Sequence, residues 1–123
     1  WIAAGIGITP FMARLEELAN NHPQGANRRQ PTIDLFYCSR EMEPALLTQL
    51  QHHAQAVGVT LHLWPTQNTC RLTGKHLRER VSNWEQASVW FCGGTAFGTA
   101  IQQDLQAHGL PSTRFHQELF EMR

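Results

Sequence analysis

The chain has 123 residues, of which 41% are hydrophobic and 16% charged; Lys plus Arg and Asp plus Glu are 10 each, so the formal net charge is zero. These values describe one globular domain with a single core and without the composition of a disordered chain. Neutrality argues against a nucleic-acid partner, which calls for a basic excess, and against a polybasic membrane-binding surface.

Strands and helices alternate along the chain. Residues 1–4 read as a buried strand already under way at the first residue, with no initiator Met and no signal peptide, and so imply sequence upstream. Gly5-Ile6-Gly7-Ile8-Thr9-Pro10 turns that strand into a helix, with Thr9 expected as N-cap and Pro10 at the first helical position. Phe11, Leu15 and Leu18 form the apolar stripe of this helix, and Asn20, Asn21 and Pro23 end it. The polar stretch 21–31 reads as a surface loop. A second strand covers 32–38. A second helix begins near Pro44, buries Leu46, Leu47, Leu50, Ala54 and Val57, and stops at Gly58. A third strand spans 59–64, and a short helix follows Thr73. Residues 88–92 make a fourth strand. The last helix, 95–108, turns Phe97, Ala100, Ile101 and Leu105 inward and ends at Gly109, before a fifth strand at 113–116.

This alternation is the pattern of an α/β fold. We expect a doubly wound, Rossmann-like, five-stranded parallel sheet in the order 3-2-1-4-5 with helices on both faces. Ligands of such sheets bind outside the carboxyl ends of the strands, where the order reverses. Gly5 follows strand one and Cys92 ends strand four, so both fall at that crevice.

The chemistry of the motifs agrees with that placement. Gly5 and Gly7 allow backbone to approach a pyrophosphate, and the following helix N-terminus supplies oriented N–H groups. Pro10 stands where the common dinucleotide fingerprint has its third glycine, and the plainer alternative is a tight turn before a capped helix. Cys92-Gly93-Gly94 would let a flat nicotinamide ring approach the backbone beside a thiol; the alternative is a small core residue. Nothing in the sequence marks Cys92 as a nucleophile. Ser39 and Arg40 end strand two, where the adenosine ribose of a dinucleotide lies. Arg40 suits a 2′-phosphate or an adenine face, and Arg71 is a second candidate cation. Both tilt the balance towards NADPH, with Glu41 as the counterweight.

Glu118 and Phe120 follow the last strand; the alternatives there are a solvated carboxylate and a ring plugging the sheet end. The histidines lack metal-binding spacing, so no metal site is expected. Cys38, Cys70 and Cys92 have no Cys-x-x-Cys spacing and read as reduced thiols in a reducing compartment. No apolar run reaches the ~18 residues of a membrane span, so no membrane contact is expected of this segment.

Taken together, these motifs resemble the NAD(P)-binding domain of the ferredoxin–NADP reductase superfamily. The residues from Gly5 to Phe11 are similar to its G-x-G-[IT]-[AT]-P-[FM] turn, Phe91-Cys92-Gly93-Gly94 to its C-G-[PG] segment, and Glu118-x-Phe120 to its terminal acidic-x-aromatic pair. Phe36-Tyr37-Cys38-Ser39-Arg40 and the ending from Phe115 to Arg123 resemble the ferric reductase and NADPH oxidase branch. Phe97 stands where many members have Met, and Gly94 where Pro is commoner.

The resemblance implies roles for these residues. Gly5, Ile6, Gly7, Ile8, Thr9 and Pro10 would hold the pyrophosphate, with Ser39, Arg40 and Arg71 at the adenosine end. Gly93 and Gly94 would flank the nicotinamide, and Phe97 would belong to the cofactor-binding residues. Cys92 and Glu118 would belong to the hydride-transfer site, and Phe120 would cover the flavin. The implied cofactors are NADPH or NADH, and FAD held by a barrel upstream in the same chain. Residues 1–123 would then be the C-terminal part of a longer flavoprotein, on the cytoplasmic side, with the inner membrane as a candidate location for the parent. Electrons would pass to haem, an iron–sulfur centre or ferric iron. The competing reading is a regulatory domain that senses a nucleotide without chemistry.

Overall fold

The structure is a computed structural model and describes residues 1–21, 33–67 and 71–117. Its strands are β1 (Ile2–Ala4), β2 (Asp34–Ser39), β3 (Thr60–Pro65), β4 (Val89–Cys92) and β5 (Phe115–His116). They form one sheet in the order β3-β2-β1-β4-β5, with every neighbouring pair parallel. This is the order expected from the sequence. The helices are α1 (Ile8–Asn21), α2 (Pro44–Val57), α3 (Gly74–Arg80) and α4 (Thr95–Ala107).

Register sets which residue faces which layer. Ile2 pairs with Phe36 and Phe91, and Ala3 with Tyr37 and Cys92. Side chains alternate along a strand, so two cores result. Ile2, Phe36 and Phe91 pack with Leu72, Leu77, Ile101 and Leu105 from the α3 and α4 side. Ala3, Leu35, Tyr37 and Cys92 pack with Phe11, Leu15, Leu50 and Ala54 of α1 and α2. A strand covered on both faces needs an unbroken apolar run, and Leu35-Phe36-Tyr37-Cys38 supplies one, all four buried. Edge strand β3 is less covered. Its His62 lies flat on Phe36 at 4.2 Å and hydrogen-bonds Asp34 at 2.9 Å.

The helix ends follow local chemistry. Gly58 adopts φ 77° after α2, and its N–H and that of Val59 return to the carbonyl of Ala54, a left-handed cap that a Cβ would disfavour. Thr73 caps α3 by accepting from the His76 N–H, while the His76 ring accepts from the Thr73 N–H at 3.0 Å.

Some expectations need correction. α1 begins at Ile8, so Thr9 is its second residue and not its N-cap. Pro10 still falls in the first turn, where its missing N–H has no intrahelical partner to lose. In α2 only Leu50 and Ala54 are fully buried, because Leu46, Leu47 and Val57 sit at the flank of the stripe. Ala100 is exposed on α4. β5 is two residues long, since Ser112–Arg114 form a 3-10 turn. The loop expected over 21–31 lies outside the described residues except for Asn21, which ends α1.

Candidate functional site

The sheet order reverses between β1 and β4, and there two glycine-bearing turns interlock. After Ala4 the chain makes a 3-10 turn, Gly5–Gly7, and enters α1 directly. Gly5 has φ 58°, a left-handed conformation that glycine adopts without steric cost. Gly7 is buried against the backbone of β4: a Cβ built on it would lie 2.7 Å from the Cys92 carbonyl carbon and 3.2 Å from the Gly93 nitrogen. Gly93 answers from the other strand, where a Cβ would lie 2.8 Å from Ala4 Cβ and 3.1 Å from Phe91 Cζ. Gly7 therefore serves close backbone approach, whereas a side chain at Gly93 would collide with the Ala4 methyl group and the Phe91 ring. Gly94 is the N-cap position of α4, and its carbonyl accepts from the Gly98 N–H at 3.0 Å.

An open cleft of 870 Å³ lies between the start of α1 and the end of β2. Gly5, Ile8 and Thr9 line it from the first turn, and Tyr37 and Ser39 from β2. The segment leading into α2 adds Glu41 and Glu43, and Met12, Met42 and Leu46 complete the wall. The volume falls within the ~300–1,000 Å³ of small-molecule and cofactor sites. The glycine turn and the N-terminus of the 14-residue α1 border it, an arrangement suited to an anionic group. A dinucleotide phosphate fits this donor set.

Cys92 and Cys38 are buried thiols on opposite faces of the sheet. Burial pushes the Cys92 thiol above its ordinary range, and pushes Cys38 up to about 12. Neither is poised as a thiolate.

Arg71 and Phe97 form a separate unit on the α3 and α4 side. The Arg71 guanidinium stands over the Phe97 ring at 5.8 Å, and that ring meets Phe91 edge-on at 5.4 Å. The structure thus brings Gly5, Ile8, Thr9 and Ser39 into one cleft, with Ile6 and Gly7 in the bordering turn and Cys92-Gly93 packed on Gly7. Pro10 sits in the first turn of α1 outside the cleft lining. Arg40 is exposed and does not line the cleft either. Glu118, Phe120 and Cys70 lie outside the described residues. Among the described residues, no group of three or more His, Cys, Asp or Glu is placed to hold a metal, and no helix is long and apolar enough to cross a membrane.

Sequence reasoning missed Gly98 and Glu43. Gly98 is buried, and a Cβ there would lie 2.7 Å from both Phe91 Cε1 and Gln117 Nε2. The available signal was a glycine inside a helical pattern, which costs about 1 kcal/mol against Ala and so points to a packing reason. Glu43 carried no signal beyond its distance from Glu41.

No family model matches the chain. It is 30% identical over 122 residues to the carnitine monooxygenase reductase subunit of Escherichia coli (strain K12), an alignment covering 98% of this chain and 34% of that protein. The chain therefore spans about a third of the relative's length.

Proposed function

We propose that this chain is the NAD(P)H-binding module of a flavin-dependent oxidoreductase of the ferredoxin–NADP reductase superfamily. A bound nicotinamide would supply hydride to a flavin, FAD, held by another domain. The protein's part is positioning. Gly5, Gly7 and the N-terminus of α1 take the pyrophosphate. Ser39 and the residues after it take the adenosine end. Cys92, Gly93 and Gly94 leave a side-chain-poor surface for the nicotinamide, and the neutral Cys92 thiol contacts it without reacting. Glu118 and Phe120 complete the hydride-transfer site.

One observation carries this reading: Gly7 of the first turn lies against the Cys92–Gly93 backbone at the point where strand order reverses, beside an open cleft. The likeness to a reductase subunit favours electron transfer over nucleotide sensing. It also favours a partner protein as the recipient of the electrons, through haem or an iron–sulfur centre, over free ferric iron.

The test is the visible spectrum of the full-length protein, purified with its native cofactors and kept anaerobic, before and after addition of NADH or NADPH. Bleaching of a flavin band, followed by reduction of any haem or iron–sulfur band, is the expected result. Absence of flavin, or a flavin that neither donor reduces, would overturn the reductase reading.

A further inference from the structure

We propose that the Tyr37 hydroxyl is a ligand-binding group of the cleft and donates to a phosphate seated at the N-terminus of α1, a role that rests on the nucleotide-binding reading above. Tyr37 is the one tyrosine of the chain. It lies mid-sheet, paired with Ala3 of β1 and Leu63 of β3, and belongs to the core under α1 and α2. Only 3% of the residue is exposed. A tyrosine buried this far usually finds a hydrogen-bond partner for its hydroxyl, yet among the described residues that of Tyr37 has none. The oxygen is not sealed in either. Among the described residues, no buried side-chain oxygen or nitrogen lacks both a partner and contact with solvent. The exposure left to Tyr37 therefore includes its hydroxyl, and the opening that the residue lines is the cleft.

The N-terminus of the 14-residue α1 borders the same cleft and favours an anion there. This helix opens with Ile8-Thr9-Pro10, and Pro10 brings no N–H. The first turn thus offers one donor fewer than usual, and the phenol O–H supplies a donor in its place. Glu41 and Glu43 reach the cleft from the segment leading into α2, which leaves the α1 side to the anion. A hydroxyl without an acceptor inside the protein breaks no internal bond when a phosphate arrives, and the bond it then makes is charge-assisted.

The test is titration of the full-length protein with ADP and with adenosine, wild type against Tyr37→Phe. The substitution removes one oxygen and keeps the ring in the core. Affinity for ADP should fall by roughly tenfold, while adenosine, which carries no phosphate, should bind both forms alike. The urea midpoint of Tyr37→Phe should equal or exceed that of wild type, since no internal hydrogen bond is lost. Unchanged affinity for ADP would overturn the role. So would an equal loss for adenosine, which would put the bond on the base or ribose, and so would a lowered urea midpoint, which would give the hydroxyl to the fold. A wild-type protein that binds neither ADP nor NADH would overturn the nucleotide-binding reading itself, and the role of Tyr37 with it.

Discussion

Gly7 and Cys92 touch backbone to backbone across the reversal of the sheet. The space a side chain would need at Gly7 is filled by the Cys92 carbonyl group and the Gly93 nitrogen. Both neighbours are main-chain atoms of a buried strand end, so neither can swing aside as a flexible side chain would. Gly7→Ala should therefore force β1 and β4 apart, at a cost of roughly 1–3 kcal/mol. Nucleotide affinity should fall with it. Gly5→Ala is the control, because no atom lies within 4 Å of its Cβ position and only its φ of 58° resists. That substitution should cost about 1–2 kcal/mol through backbone strain alone. Urea melts of both variants, paired with nucleotide titration, separate collision from strain.

Much of this arrangement was legible in the sequence. The strand order follows from apolar runs separated by helices that Gly58 and Gly109 terminate, and these signals are local. The start of α1 was misread for a non-local reason. Thr9 is a good N-cap by type, but Gly5 turns left-handed and Gly7 packs on β4. The chain therefore tightens into a 3-10 turn and the helix starts at Ile8. The partnership of Arg71 with Phe97 was equally invisible, since it joins the approach to α3 with the first turn of α4 across 26 residues of sequence. Glu41 was visible as a counterweight to Arg40. Which of the two lines the cleft depends on how the turn after Ser39 closes, and a string of residues does not reveal that.

α3 is only seven residues long, too short to persist without its ends being satisfied. Thr73 and His76 satisfy two backbone N–H groups reciprocally. Thr73→Ala should cost about 1 kcal/mol, and Thr73→Ser should recover most of it. Thermal melts of the two variants check this; equal loss in both would mean that the Thr73 methyl group, and not its hydroxyl, carries the effect.

The buried thiols make stability fall in alkali. Cys38 rises from 9.0 to about 12 on folding, and Cys92 shifts in the same direction, in each case through burial. Above pH 9 the unfolded chain gives up the thiol proton while the folded chain keeps it, so raising the pH favours unfolding. The stabilisation is complete below pH 9. For Cys38 it is lost at about 1.4 kcal/mol per pH unit up to about pH 12. Urea midpoints measured between pH 8.5 and 11 should show this slope, and Cys38→Ala should flatten it even though it lowers stability overall. A slope that survives in Cys38→Ala would assign the loss to other groups.

Phe97 supports two neighbours at once, and substitutions can separate them. Its ring packs edge-on against Phe91, which is fully buried and directly precedes Cys92, while Arg71 rests over its face. Phe97→Ala should destabilise the domain by about 1–3 kcal/mol, less than the ~3–5 kcal/mol of a fully buried ring, because Phe97 is half-buried. Phe97→Leu keeps apolar contact with Phe91 but removes the π face beneath the guanidinium, which is worth about 0.5–1 kcal/mol at an exposed site. Arg71→Ala removes the same contact from the other side and should cost no more than that, about 0.5–1 kcal/mol. If Arg71 meets a cofactor phosphate, Arg71→Ala and Phe97→Leu should both weaken nucleotide binding, and the Arg71→Ala loss should shrink as salt screens the charge. Nucleotide titrations at low and high ionic strength read this directly. Unaltered affinity in Arg71→Ala at both salt concentrations would leave the pair a purely structural contact between α4 and the segment that leads into α3.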